Sequence, residues 1–313
     1  MKPLRTVFII NPTAGGSRKD SLRKKLIANI ARTYPDSPIE MTKNSAEAEH
    51  AVRMYLQKGF ECIAAVGGDG TLNSVLQGFF RDLDGTPVKE GASLTVIPFG
   101  TGGDFRKTLG IESDPIAALS LLKGEDTKPC DAGIVEYTTF EGKKEKRYFL
   151  NITSFGISGL VDKYVLESSK RFGGTITFFV STIKAFMKYK KSHILVEVDG
   201  IESIIQKCLL VVVANGKFFG SGMQIAPDAN ISDGIFNIVT IAEFGMKDFL
   251  KYGTKLYGGE KVHNPQVTYT SGRKISIIPQ TNSDIMYMDM DGEPIGKIPA
   301  NIQILPSAIR LKI

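Results

Sequence analysis

The chain has 313 residues, more than one ordinary domain holds, so two domains are expected. A hydrophobic share of 42% and a charged share of 23% are ordinary for a globular protein with sizeable cores, and the net charge of +6 is a modest basic excess. That excess suits a nucleotide, a nucleic acid or an anionic membrane and separates none of them. The dispersed cysteines, Cys62, Cys130 and Cys208, form no CxxC pair, which argues against a disulfide framework or structural zinc and fits a reducing cytosol.

In chain order, LRTVFII (4–10) reads as a buried strand and NPTAGGS breaks it. The opening MKPLRTVFII is too short in its apolar part for a secretory signal, and charge and proline interrupt it. Residues 20–33 read as a basic helix with Leu22, Leu26, Ile27 and Ile30 on one face. Ile39–Thr42 reads as a short strand, Ala46–Gln57 as a helix, CIAAV (62–66) as a strand, Leu72–Phe80 as a helix and LTVIPF (94–99) as a further strand. Strands alternating with helices, each strand emptying into a glycine-rich loop, predict an open parallel α/β domain with ligands at the carboxyl ends of the strands. After about Lys128 strand candidates dominate, among them RYFLNITSF, HILVEVDG, CLLVVVANG and DIMYMDMDGE, with helices expected at Thr175–Lys188 and Met246–Tyr257. The expected organisation is an α/β domain over 1–130 and a mainly β, sandwich-like domain over 131–313, with the last strand, AIRLKI, returning to the first domain. No run approaches the ~18 apolar residues of a spanning helix, so the protein reads as soluble or peripheral.

Three glycine-rich segments follow strands of the first domain: NPTAGG (11–16), GGDGT (67–71) and GTGGDF (100–105). They should converge on one crevice. Bare backbone N–H groups at a helix start attract an anion, and glycine lets the backbone come close. Neither GxxxxGK[ST] nor GxGxxG is present. Asp69 would repel phosphate unless a cation intervenes; Mg²⁺, which shares carboxylates, water and phosphate, suits Asp69 and Asp104, directly or through water. Alternatively both acids cap the helices that follow them. In MDMDGE (288–293), Asp289, Asp291 and Glu293 would share one strand face. Gly292 invites a turn, so the segment is either a hairpin with acidic turn residues or the source of a general base.

Together these segments resemble, over nearly the whole chain, the diacylglycerol kinase catalytic-domain family of lipid kinases in its bacterial soluble form. NPTAGG, VGGDGTLNSV, IPFGTGGDF, NITSFGISG, NGKFFGSGMQIAPDANISDGIF and MDGE follow in the family order. The fold implied is that of diacylglycerol and NAD kinases. The activity implied is ATP- and Mg²⁺-dependent phosphorylation of a lipid hydroxyl such as that of diacylglycerol, with the nucleotide between the two domains. The resemblance assigns ATP to Asn11, Pro12, Thr13, Ala14, Gly15, Thr42, Gly67, Gly68, Asp69, Gly70, Thr71, Leu72, Asn73 and Thr101. It assigns a water-mediated Mg²⁺ network to Asp69, Asp104 and Asp131, and a structural Mg²⁺ to Asp233 with the carbonyls of Asn230 and Ile235. The base falls in the Asp291–Glu293 segment. Two positions depart from the family pattern: Ser74 stands where Glu is usual and Gly103 where Asn is usual. An NAD kinase-type or sphingoid-base kinase, or a nucleotide-binding regulator that has lost turnover, are the alternatives.

The expected setting is cytoplasmic, with peripheral contact to a membrane carrying the lipid substrate. Edge strands of the second domain could pair in a homodimer. His50, His193 and His263 form no metal motif, and no nucleic-acid signature is present. The segment with Phe178, Phe179, Ile183, Phe186 and Met187, followed by Lys188–Lys191, reads either as core or as a face for an anionic lipid surface.

Overall fold

The structure is a computed structural model that describes residues 4–16, 19–100, 103–124, 126–168 and 174–313. Its chain divides into two compact units, Met1–Asp131 with Ser307–Ile313, and Ala132–Pro306.

The first unit is built on a parallel sheet. Strands β1 (Thr6–Ile10), β2 (Ile39–Met41), β3 (Cys62–Gly67) and β4 (Ser93–Pro98) lie in the order β2-β1-β3-β4, and the end of a long last strand, β15 (Glu293–Leu311), runs parallel to β4 with Arg310 opposite Ser93. Every residue of TVFII in β1, CIAAVG in β3 and SLTVIP in β4 is buried. Such unbroken runs belong to a parallel sheet covered on both faces. The cover comes from α1 (Asp20–Thr33), which buries Leu26 and Ile30, α2 (Ser45–Gln57), which buries Ala48, Ala51, Val52 and Leu56, α3 (Asp69–Gln77), and two short helices, α4 (Asp104–Thr108) and α5 (Pro115–Ala118). Helix α2 starts where Asn44 accepts the Glu47 N–H at 2.9 Å and Glu47 reaches back to the Lys43 N–H at 2.8 Å, reciprocal bonds of the capping-box kind.

In the second unit β5 (Lys128–Thr138), which begins in the first unit, pairs with β6 (Lys144–Phe149). A ladder of antiparallel neighbours runs β12 (Val267–Gly272), β11 (Phe236–Ile241), β10 (Leu210–Ala214), β7 (Ile152–Gly156), β14 (Tyr287–Met290), β15. Strand β13 (Lys274–Pro279) bridges β15 to β8 (Ser192–Val198), which pairs with β9 (Ile201–Cys208). Alternation sorts the side chains: Phe155, Val211, Val213 and Ile238 enter one core with Phe149, Phe236 and Ile277, while Ile152, Leu210, Val212 and Val239 face another. That second core is covered by α6 (Ile157–Glu167), α7 (Gly174–Lys188) and α8 (Met246–Gly258). No helix among the described residues is long and apolar enough to cross a membrane.

The expected α/β first part with a parallel sheet and β-rich second part is the architecture found. Three local expectations need correction. Helix α3 starts at Asp69, three residues before the apolar periodicity does. RYFLNITSF is two strands, because the Leu150 and Asn151 carbonyls leave the ladder: Leu150 accepts the Asn215 side-chain amide at 2.7 Å, and Asn151 accepts the Asn215 and Gly216 N–H groups at 2.9 Å. Helix α6 was hidden by the strand pattern before it and by the lack of a side-chain cap. Gly156 makes the turn into it at φ 123°, where a Cβ would lie 2.3 Å from the Leu209 carbonyl oxygen.

Candidate active site

Register brings the loops of the first unit together. Ile10 pairs with both Met41 and Val66, and Val66 pairs with Ile97, so the chain leaves β1, β2, β3 and β4 at one level of one sheet edge. The strand order reverses between β1 and β3, which is where open α/β sheets form their crevice. Asn11 and Thr71 flank that point, and the Asn11 amide donates to Thr71 Oγ1 at 3.4 Å. Asn11 also shapes its own loop: its Oδ1 accepts the Thr13 N–H at 2.9 Å and the Thr13 hydroxyl at 2.7 Å, and its carbonyl accepts the Ala14 N–H at 3.1 Å. The Pro12 carbonyl accepts from Arg23. Gly15, at φ 75°, lies against Lys19 and the Phe99 carbonyl, and Lys19 Nζ donates to the Gly100 carbonyl at 3.0 Å. Thr42 is buried behind the crevice and donates its N–H to the Ile10 carbonyl at 3.0 Å.

The two inner loops touch backbone to backbone. A Cβ on Gly100 would lie 2.7 Å from the Gly68 Cα, and one on Gly67 would lie 2.3 Å from Thr71 Oγ1. Gly68 precedes α3 with no side-chain cap, and Gly70, Thr71, Leu72 and Asn73 form the first turns. The start of α3 is therefore left as an anion-binding end. Thr101, also expected to hold nucleotide, lies outside the described residues.

Asp69 points away from that end. Its Oδ2 accepts the N–H groups of Gly103 at 2.9 Å and Asp104 at 3.0 Å, and its Oδ1 accepts that of Phe105 at 3.2 Å. It caps α4, a helix in another loop, rather than the helix it begins. Burial pushes its carboxyl above the ordinary 3.8, the Asp104 charge adds to this, and the three N–H donors pull the other way. Asp104 is buried and pairs with Lys107 at 2.8 Å. Asp131, fully buried, accepts the Ser307 N–H at 2.7 Å. Among the described residues no three His, Cys, Asp or Glu side chains gather as a metal group. A carboxylate has about four acceptor sites, and Asp69 uses three on backbone, so the donor set fits a cation reached through water better than one bound directly. Ser74 is engaged too: its hydroxyl bonds Ser45 Oγ and the Gly70 carbonyl, both at 2.9 Å, tying α3 to the start of α2.

In the second unit the acidic hairpin is a two-residue turn. Asp291 has φ 49° and Gly292 φ 88°, the paired positive angles that an Asp-Gly turn supplies between twisted strands. Asp291 is buried; its Oδ1 accepts the N–H groups of Asn151 at 3.2 Å and Ile152 at 3.1 Å, and its own N–H donates to the Ile152 carbonyl at 3.0 Å. Glu293 opens β15, paired with Met290. Elsewhere in this unit, Asp233 accepts the Ile235 N–H at 3.1 Å and Asn230 accepts the Ser232 N–H at 3.2 Å, two side-chain-closed turns of one loop.

Sequence reasoning passed over Asp162. It lies on α6 with its carboxyl against that of Asp289, which is 5% exposed. Asp289 Oδ1 accepts the Ser154 hydroxyl at 3.4 Å, and Ser154 bonds Ser158 at 2.8 Å. Burial, then the Asp162 charge, holds Asp289 well above the usual carboxylate range. The sequence signal available was the i, i+4 spacing of Ser158 and Asp162, which puts both on one helix face, but it is visible only once α6 is recognised as a helix.

Residues 5–135 match the family model described as the diacylglycerol kinase catalytic domain, and residues 151–313 the one described as the YegS C-terminal NAD kinase beta sandwich-like domain. The chain belongs to this family of lipid kinases. It is 26% identical over 302 residues to a diacylglycerol kinase of Bacillus subtilis strain 168, covering 94% of this chain and 91% of that protein. To a diacylglycerol kinase of Staphylococcus epidermidis strain RP62A it is 25% identical over 308 residues, 98% of this chain and 91% of that one. A solved diacylglycerol kinase from Bacillus anthracis strain Sterne shares the fold, with a TM-score of 0.72 at 23% identity over 100% of this chain and 97% of the other.

Proposed function

We propose that the protein transfers the γ-phosphoryl group of ATP, with Mg²⁺, to a lipid hydroxyl of the diacylglycerol kind. The observation that carries this reading is the pinned acid: the Asp291 carboxylate is buried at the hairpin tip and held by the Asn151 and Ile152 N–H groups, bonds that the Asp-Gly turn does not itself need. The first unit holds the nucleotide on Asn11–Gly15, Thr42 and Gly67–Asn73, with phosphate at the open start of α3. In the second unit Asp291 takes the proton of the lipid hydroxyl as it attacks, and Glu293 adjoins it. Asp69, Asp104 and Asp131 would hold Mg²⁺ through water, and the bound cation would neutralise phosphate charge. Asn230, Asp233 and Ile235 form a separate loop suited to a structural cation. Positioning and charge neutralisation supply most of the rate in such transfers.

Ser74, where the family pattern has Glu, uses its hydroxyl in the α2–α3 contact. The setting proposed is cytoplasmic with peripheral membrane contact. On α7 and α8, Phe179, Met187 and Leu250 are exposed beside exposed Lys188, Lys247 and Lys251, and the tilted rings of Phe186 and Phe249 lie 5.4 Å apart, joining the two helices. This departs from an all-core reading of α7 and suits an anionic surface. Exposed Ile201 and Ile204 on β9, which among the described strands pairs only with β8, favour pairing with a second copy.

The test is incubation of the purified protein with labelled ATP, Mg²⁺ and a panel of lipids, followed by mass spectrometry of the lipid product. Labelled phosphatidate, absent with Asp291→Asn, is expected. No labelled lipid across the panel, or NADP formed when NAD is offered, overturns the reading.

A further inference from the structure

The N–H groups of Asn151 and Ile152 meet on one oxygen, Asp291 Oδ1, at 3.2 and 3.1 Å. In a regular strand successive N–H groups point to opposite edges, so two in a row on one acceptor form a nest, the backbone concavity that holds an anion. A trans peptide carries its C=O opposite its N–H, so what turns these two peptide groups out of the ladder acts on the Leu150 and Asn151 carbonyls. Both carbonyls face Asn215, the residue after β10. Its side-chain amide donates to the Leu150 carbonyl at 2.7 Å and its backbone N–H to the Asn151 carbonyl at 2.9 Å, where the Gly216 N–H joins it at 2.9 Å. Each of two consecutive peptide groups is thus held at both ends, with Asn215 on the carbonyl and Asp291 on the N–H. Leu150, Asn151 and Asn215 are all buried, and in such surroundings bonds in series polarise and strengthen one another. Asn151 closes the arrangement from its own side, since its side-chain amide donates to the Phe218 carbonyl at 2.9 Å.

We infer that Asn215 is a positioning residue for the proposed phosphoryl transfer: through two consecutive peptide groups it aims the Asn151 and Ile152 N–H groups at Asp291 and fixes that carboxylate at the hairpin tip. Asn suits the place because its backbone and side-chain N–H groups reach two successive carbonyls and bring no charge into a buried site. Without the side-chain amide the Leu150–Asn151 peptide is free to turn back toward the ladder, and Asp291 loses one of its two fixed donors. The kinetic part rests on Asp291 being the base; the nest itself does not.

The decisive variant is Asn215→Ala, which removes the side-chain donor and keeps both backbone donors. Two readouts are taken: hydrogen exchange of the Asn151 and Ile152 amides, and kcat against the KM for ATP and for lipid. Exchange at both amides is expected to quicken by about tenfold or more, the scale of one lost buried hydrogen bond, with the β10–β11 amides unchanged. The value of kcat falls by about tenfold or more while both KM values stay within about twofold, because the base is misplaced and binding is not. Parental exchange at Asn151 and Ile152, or a parental kcat, overturns the inference. If the variant does not fold, the unaltered protein decides: Asn215 side-chain amide protons protected as strongly as the two backbone amides support the inference, and their free exchange overturns it. A protein that phosphorylates no lipid but shows the faster exchange in Asn215→Ala keeps the nest and rejects the lipid reading.

Discussion

The carboxylate of Asp69 accepts the backbone N–H of Asp104 at 3.0 Å, joining the first residue of α3 to the first residue of α4 across two loops. With the neighbouring bonds to Gly103 and Phe105 it occupies the donors that begin α4. The start of α3 keeps its own N–H groups free of any side-chain cap, which is where the proposed phosphate would sit. Asp69→Asn keeps shape but swaps one acceptor oxygen for a donor that faces N–H groups. The expected cost is about 1–3 kcal/mol of stability, read by urea denaturation. Loss of lipid phosphorylation in Asp69→Ala therefore has to be compared with this stability loss before it is credited to a cation.

Gly100→Ala tests the contact between the inner loops. Its Cβ would press on the Gly68 Cα at 2.7 Å, backbone that cannot rotate aside. Forcing the loops apart costs about 1–3 kcal/mol. The expected result is weaker ATP binding by about tenfold or more, since 1.4 kcal/mol is a factor of ten, measured by calorimetry with and without Mg²⁺.

Asp291→Asn separates chemistry from folding. Asn tolerates the left-handed region and can still accept the Asn151 and Ile152 N–H groups. Thermal stability should stay close to that of the unaltered protein, while kcat drops by about 10²–10⁴-fold for a lost general base. Equal loss of fold and activity would show that the turn is only structural.

Asp289 carries a pH signature in stability. Its folded-state proton affinity lies above the ordinary 3.8 through burial first and the Asp162 charge second. Between 3.8 and the folded value the native state binds more protons than the unfolded one, so stability falls as pH rises through that window. Asp289→Asn removes the titration. It should be more stable than the parent at neutral pH, less so or not at all below pH 3.8, in denaturant titrations at several pH values.

Met187→Asp and Leu250→Asp place charge on the exposed apolar residues of α7 and α8. Each should reduce cosedimentation with phosphatidylglycerol vesicles and leave binding of ATP unchanged. Each added salt increment should weaken vesicle binding of the parent, as about 1 kcal/mol per nearby lysine is electrostatic.

Much of the fold was legible because its signals are local. Unbroken apolar runs such as TVFII and CIAAVG mark strands buried on both faces, and the glycine loops behind them mark the carboxyl edge of a parallel sheet. Helix α6 was not legible, since NITSFG reads as strand and the turn into the helix is made by Gly156 at φ 123°, against the Leu209 carbonyl where a side chain has no room. RYFLNITSF looked continuous because the bonds that split it come from Asn215 and Gly216, far along the chain.

By itself the amino-acid sequence determined which apolar runs form the parallel strands, where backbone must be bare, and which acids stand beside those places, because these depend on neighbours within a few residues. Tertiary structure alone decided what each acid faces. Asp69 serves α4 instead of its own helix, Asp291 is pinned by Asn151 and Ile152, and Asp289 meets Asp162, all through contacts between distant segments. A carboxylate's role follows from its donors and the charges within a few ångströms of it, and spacing along the chain does not carry that information.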